Sequence, residues 1–261
     1  MKGDKIIGIL IIIALIISVC LVGYSLYNGI QEEQSNITYQ QLTEDQLSQI
    51  LQNNTNNSSI QRVVLNINSP TGGANINFTD SNNIYNISSD NNKGKVTYAV
   101  NGDTLEVNVT GNETGNNIVL SNKYNYDINV NYVAGGYAIN VSNGARVNSL
   151  NSNMTAGGAN IDLNGGSLNN LNFETSVGGV NIEGIPNGQT NIATTIDIGG
   201  VNIGLNQPVG HIISKINLGG TNSNNNYQNV SATEFKGNNF DSSSNRLELN
   251  SNIQMGGVNI N

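Results

Sequence analysis

The chain has 261 residues, of which 11% are charged and 5% aromatic, with Lys plus Arg at 10 against Asp plus Glu at 18 and a formal net charge of -8. That balance offers no positive field for phosphates and excludes a nucleic-acid binder, while 37% hydrophobic residues and so few charges exclude highly charged disorder. Asn contributes 52 residues and Gly 30, a composition shared by repeated strand-and-turn folds and by low-complexity tracts, so residue order has to choose between them.

The run Ile6 to Tyr27, IIGILIIIALIISVCLVGYSLY, has 22 residues and no charge. At about 1.5 Å per residue it crosses a hydrocarbon core of about 30 Å. Lys2 and Lys5 precede it and Glu32 and Glu33 follow, so the positive-inside bias places residues 1–5 in the cytoplasm and the rest outside. Residues 1–30 are therefore expected to form a transmembrane helix, a single-pass anchor in the cell membrane with the C-terminal domain extracellular. A cleaved secretory signal is the alternative, but the apolar run exceeds the usual h-region of about 15 residues and no A-x-A site follows. Cys20 fits a lipoprotein cysteine poorly because Val19 before it is bulky, and Lys5 fits poorly with prepilin-type cleavage after Lys2-Gly3. As the one cysteine, Cys20 rules out an intrachain disulfide, so the domain has to be held by packing and backbone hydrogen bonds.

Residues 31–60 read as a stalk. Thr43 with Gln46 forms a capping box, and Leu47, Ile50 and Leu51 could line one face of a short helix before the tract NNTNNSS begins at Asn53. Whether that face packs on the domain is left open by the sequence.

From Ile60 the chain becomes periodic, and residues 61–261 read as one ectodomain. Gly-Gly pairs start at 72, 135, 157, 165, 178, 199, 219 and 256. Those at 135, 157, 178, 199 and 219 are spaced by 22, 21, 21 and 20 residues, and 72 to 135 is 63, three times 21. A fixed period near 21 indicates an all-β, single-coil β-solenoid, or β-helix, with about 21 residues per coil.

Around each pair the apolar residues alternate, as in Ile196-Asp197-Ile198-Gly199-Gly200-Val201-Asn202-Ile203, so one coil is expected to be strand, glycine corner, strand. This alternation puts Phe173, Val177, Val180 and Ile182 inward in the preceding coil, Met154, Ala156, Ala159, Ile161 and Leu163 in the one before that, and Ile216 and Leu218 in the coil after Ile196–Ile203. Asn160, Asn181 and Asn202 then point outward as an amide ladder.

Val96 to Val100 and Leu105 to Val109 flank Asn101-Gly102-Asp103 and read as a hairpin. Residues 222–245 interrupt the repeat as a surface loop, and RLELNSNIQMGGVNIN supplies a last coil. Such a coil leaves an unpaired end at Asn261 unless the 222–245 insertion folds over it or a second subunit pairs with it, so self-association through the solenoid end is expected in the second case.

The repeat unit, the NGDTLEV strand pair at 101–107 and Tyr126-Asp127-Ile128-Asn129-Val130 resemble the toastrack, or adhesin-type, β-solenoid family, related to the C-terminal domain of LiaF-type membrane sensors. The likeness covers roughly residues 60–261. It implies a β-helix on the outer face of a membrane and, through the LiaF relatives, a link to envelope-stress signalling. One apolar segment where LiaF-like proteins have several departs from that pattern.

The chemical inventory argues against an enzyme and against any cofactor. His211 is the one histidine, expected to be exposed and with no partner evident in sequence, and a zinc motif cannot be built around it. Asp162, Glu174, Glu183 and Asp197 lie in neighbouring coils, so some could approach one another, but Glu174 and Asp197 occupy different phases relative to their glycines. Among the N-x-S/T sequons, Asn57, Asn112 and Asn229 fall in expected loops and are the glycosylation candidates. Two functions follow: a structural or adhesion module whose solenoid binds another protein or an envelope polymer at the cell surface, or an envelope-stress sensor acting on a membrane partner.

Overall fold

The structure, a computed structural model, describes residues 38–53, 59–89, 94–111, 114–142 and 144–261. The apolar run Ile6 to Tyr27 lies outside the described residues, among which no helix is long and apolar enough to cross a membrane.

The first described element is β1 (Thr38–Thr43), followed by α1 (Glu44–Asn53). The Thr43 amide donates to Gln46 Oε1 at 2.9 Å and the Gln46 amide to Thr43 Oγ1 at 3.1 Å, so the capping box forms as expected. Leu42 and Leu47 are buried in the main core, so the helix packs on the domain. The sheet thus begins at Thr38, inside the segment read as a stalk.

The rest is nearly all strand. β2 (Arg62–Thr79), β7 (Asn125–Ser142), β8 (Arg146–Asn164), β9 (Ser167–Ile185), β10 (Gln189–Leu205), β11 (Gly210–Ser223) and β14 (Arg246–Ile260) are long strands. Each except β11 carries an in-register parallel neighbour on one side and a second over at least part of its length on the other. β3 (Asn83–Ser89), β4 (Gly94–Asn101), β5 (Thr104–Gly111), β6 (Thr114–Ser121), β12 (Tyr227–Ser231) and β13 (Glu234–Gly237) are shorter. All belong to one sheet in the order β1-β3-β6-β2-β7-β8-β9-β10-β14-β11-β13-β12, with β4 and β5 beside β2. Short links between long parallel strands make each strand one turn of a stack, which is consistent with a β-solenoid.

The register explains the period. Gly178 faces Gly157 and Gly199, and Ile182 faces Ile161 and Ile203. Ile76, Ile139, Ile161, Ile182, Ile203 and Ile260 form one buried column, none more than 1% exposed. Beside it Phe173 sits between Ser152 and Thr194, so a large ring is flanked by small side chains, and the Thr194 hydroxyl reaches Ser251 Oγ at 2.7 Å. The single 22-residue interval is a bulge: Tyr126 pairs with Val147 but Asp127 with Ser149, leaving Asn148 extra.

The glycine corners are forced by close approach. A Cβ on Gly178 would lie 1.6 Å from the Gly157 carbonyl oxygen, and one on Gly179 would lie 2.4 Å from that of Gly200. The first glycine of a pair therefore faces one neighbour and the second the other, and φ of 149° at Gly178 adds strain for any side chain.

Three expectations need correction. The inward alternation does not run through the corner: Val177 is 39% and Leu218 57% exposed, and Ala156 is only half-buried. Ile196 and Val201 are both buried yet five positions apart, an odd number, so the period of two slips between them and two consecutive residues face outward. Residues 222–245 are not a plain loop, since they form the β12–β13 hairpin and bury Tyr227, Phe235 and Phe240. The stack order also departs from the chain order. β2 lies directly on β7, so the 63-residue interval holds no coils between them, and β3 to β6 build the other side of β2. At the far end β14 lies between β10 and β11, which buries the last coil instead of leaving it unpaired.

Candidate functional site

Three outer features follow from this geometry. The first is a ridge along the corners. The residue before each glycine pair stacks in register: Ala134, Ala156, Val177, Ile198, Met255 and Leu218, in spatial order from β7 to β11. Its last four members are large, apolar and 39%, 48%, 37% and 57% exposed. The corner slip turns these side chains out, and coil stacking brings four of them together about 4.8 Å apart. The strip is contiguous, apolar and open to solvent.

The second feature is the amide ladder. Asn202 donates to Asn181, Asn259 to Asn202 at 2.8 Å and Asn222 to Asn259 at 3.1 Å. On the opposite limb a second ladder runs from Asn172 to Asn151 at 2.9 Å, Asn151 to Asn129 at 3.0 Å and Asn129 to Asn66 at 2.8 Å. The second ladder escaped the sequence reading, although the spacing of 21 and 22 residues among Asn129, Asn151 and Asn172 is its signal. The first ladder ends at Asn181, whose amide turns to Glu183, so the expected rung to Asn160 does not form; beyond it Ala138 stands between Asn75 and Asn160, and a shallow notch of about 270 Å³ is lined by these residues with Asn140, Asp162 and Glu183. The register brings Asp162 and Glu183 side by side, and Asn181 donates to Glu183 Oε1 at 2.8 Å. Glu174 pairs with Asn153 and Thr195, and Asp197 sits on the exposed corner, so neither joins them. The notch offers hydrogen-bond donors and acceptors but no wall.

The third feature is the far edge. β13 covers His211 to Ile213 of β11 and stops; beyond Ser214, whose amide donates to the Thr233 carbonyl at 2.8 Å, no strand among the described residues lies on that side. His211 is half-buried under the hairpin, its Nε2 2.9 Å from Glu234 Oε1 and its ring 5.3 Å from that of Phe240. This corrects the expectation of an exposed, partnerless histidine. The partner comes from 23 residues away in a non-repeating insertion, which carries no sequence signal.

Other polar groups serve the stack. Asp127 is buried beside the bulge, where Arg62 Nε, Asn148 Nδ2 at 2.9 Å and Ser149 Oγ at 2.5 Å all donate to it. Burial pushes its carboxyl up, but these hydrogen bonds and the Arg62 charge outweigh that and hold it below the usual carboxylate range. Desolvation pushes the phenols of Tyr85, Tyr124 and Tyr227 up to about 12, with the Glu44 carboxylate adding to it at Tyr124. Burial raises those of Tyr126, Tyr132 and Tyr137 further. Of the glycosylation candidates, Asn229 is exposed on β12, whereas Asn57 and Asn112 lie outside the described residues.

No family model matches the chain, and no curated protein does. Among solved structures, a putative cell adhesion protein from Clostridium sporogenes superposes with a TM-score of 0.55 at 16% identity, covering 86% of this chain and 98% of its own. At that identity the two share a fold.

Proposed function

We propose that the chain is a membrane-anchored extracellular β-solenoid of about 21 residues per coil that binds another protein or an envelope polymer at the cell surface, a non-enzymatic adhesion module of the toastrack type with a distant LiaF relation. The observation that carries this reading is the exposed apolar ridge Val177, Ile198, Met255 and Leu218. Burial of such a strip by a partner is favourable at about 25 cal/mol per Å² of apolar surface. The fold shared with a putative cell adhesion protein supports it, as does the uncharged run Ile6 to Tyr27, which suits a single anchor in the membrane.

Vesicles carrying the full chain are expected to be retained on immobilised cell envelopes. Ile198→Lys should reduce retention about tenfold, the equivalent of about 1.4 kcal/mol. Because Ile198 is exposed, the same change should move stability by no more than about 0.5 kcal/mol. Equal retention of the two proteins would remove the ridge from the binding surface.

A further inference from the structure

We propose that the open edge of β11 pairs with β11 of a second copy around a two-fold axis at Leu218–Gly219, joining molecules tip to tip; this rests on the adhesion reading and names its partner. The edge is built for a strand. Where one coil meets the next, the second corner glycine is held by a carbonyl: Cβ atoms on Gly136, Gly158, Gly179 and Gly257 would lie 2.9, 2.8, 2.4 and 2.8 Å from the oxygens of Gly158, Gly179, Gly200 and Gly220. At Gly220 nothing lies within 4 Å, yet the glycine is present. A strand glycine with no neighbour of its own leaves room for another backbone to come as close as the coils do to one another.

The free stretch is also self-complementary. From Lys215 to Asn222 it is centred on Leu218–Gly219, so antiparallel pairing sets Lys215 opposite Asn222 of the second copy, Ile216 opposite Thr221, Asn217 opposite Gly220 and Leu218 opposite Gly219. Each Leu218, 57% exposed, thus meets a residue with no side chain to displace it. Lys215 is the one charge of the stretch, and its counterpart is neutral. The stretch itself contains no carboxylate, and Lys215 faces no like charge.

β1 does not lie near that edge: β1 and β11 are nine strand steps or about 43 Å apart, toward opposite ends of the sheet. Stacking of one copy's β11 in coil register on β2 of another is also blocked, because both sides of β2 are already paired, by β7 and by β5 and β6. Tip-to-tip pairing sends the two β1 ends in opposite directions, which on the adhesion reading lets the contact bridge two membranes. Eight residues of edge fall short of the roughly 1,200–2,000 Å² that stable complexes bury, so single contacts are reversible and many act together.

The test uses the full chain with Cys20→Ser, in two vesicle populations whose copies carry different tags, mixed under mild oxidation. Leu218→Cys should give disulfide dimers containing both tags, at least tenfold more than Tyr98→Cys at the exposed face of β4 near the other end. Adding Gly220→Val should cut that yield at least tenfold without changing the melting temperature. Cross-linking of Leu218→Cys no greater than of Tyr98→Cys, or undiminished by Gly220→Val, overturns the pairing and makes Lys215 a guard of a bare edge. If vesicles remain bound to cell envelopes in that case, adhesion stands and the second copy is not its partner.

Discussion

Single residues carry the close approach of the coils. Gly178→Val places a side chain 1.6 Å from a backbone oxygen at φ 149°, so a loss of more than about 4 kcal/mol is expected, whereas Gly220→Val should stay within about 0.5 kcal/mol. Thermal melts of the two variants check this, and equal losses would contradict the corner geometry. Tyrosines set the alkaline limit. Their folded values lie above the unfolded value of about 10, so their neutral form is favoured by the fold. That stability is complete below about pH 10 and is lost as pH rises through the folded values, about 12 at Tyr85, Tyr124 and Tyr227. Ultraviolet titration should show phenolate forming from these residues together with loss of strand circular dichroism; titration of all phenols near pH 10 in a folded chain would refute it. The sign is opposite at Asp127, whose lowered value adds stability above about pH 4 that is lost on acidification. The glycine corners were legible in the sequence because a repeated backbone need leaves a repeated residue. The outward turn of Val177 and Leu218 was not, since a plain period of two does not foresee a slip at the corner.

At the scale of elements, local signals held and long-range order did not. The hairpin around Gly102, with φ of 62°, forms with Val100 opposite Leu105 as its turn chemistry requires, and α1 starts at its capping box. The inward stripe of each coil was legible for the same reason: Phe173, Val180 and Ile182 alternate on short stretches away from the corner. The position of β14 was hidden because coils with one register are interchangeable. Val258 fits beside Val201 and Thr221 as well as Val201 fits beside Val180. Ile182→Ala, in the middle of the isoleucine column, should cost about 2–5 kcal/mol, and Ile182→Val about 1 kcal/mol, measured by denaturant unfolding. A loss near zero for Ile182→Ala would mean that the column is not packed.

For the whole molecule, few charges and many asparagines suit a stack whose outer rows are amide ladders, and the ridge and the open β11 edge gather at the end opposite β1. The composition pointed to repeated strands, but the proposed binding surface could not be read from it, because the ridge and the edge exist only once the coils are set in their spatial order. That order is the central claim, and native-state hydrogen exchange tests it most directly. Residues 246–260 should exchange as slowly as residues 189–205, while 215–223 should be the fastest part of the long strands. Fast exchange across 246–260 with protection of 215–223 on both limbs, as stacking in chain order requires, would contradict it.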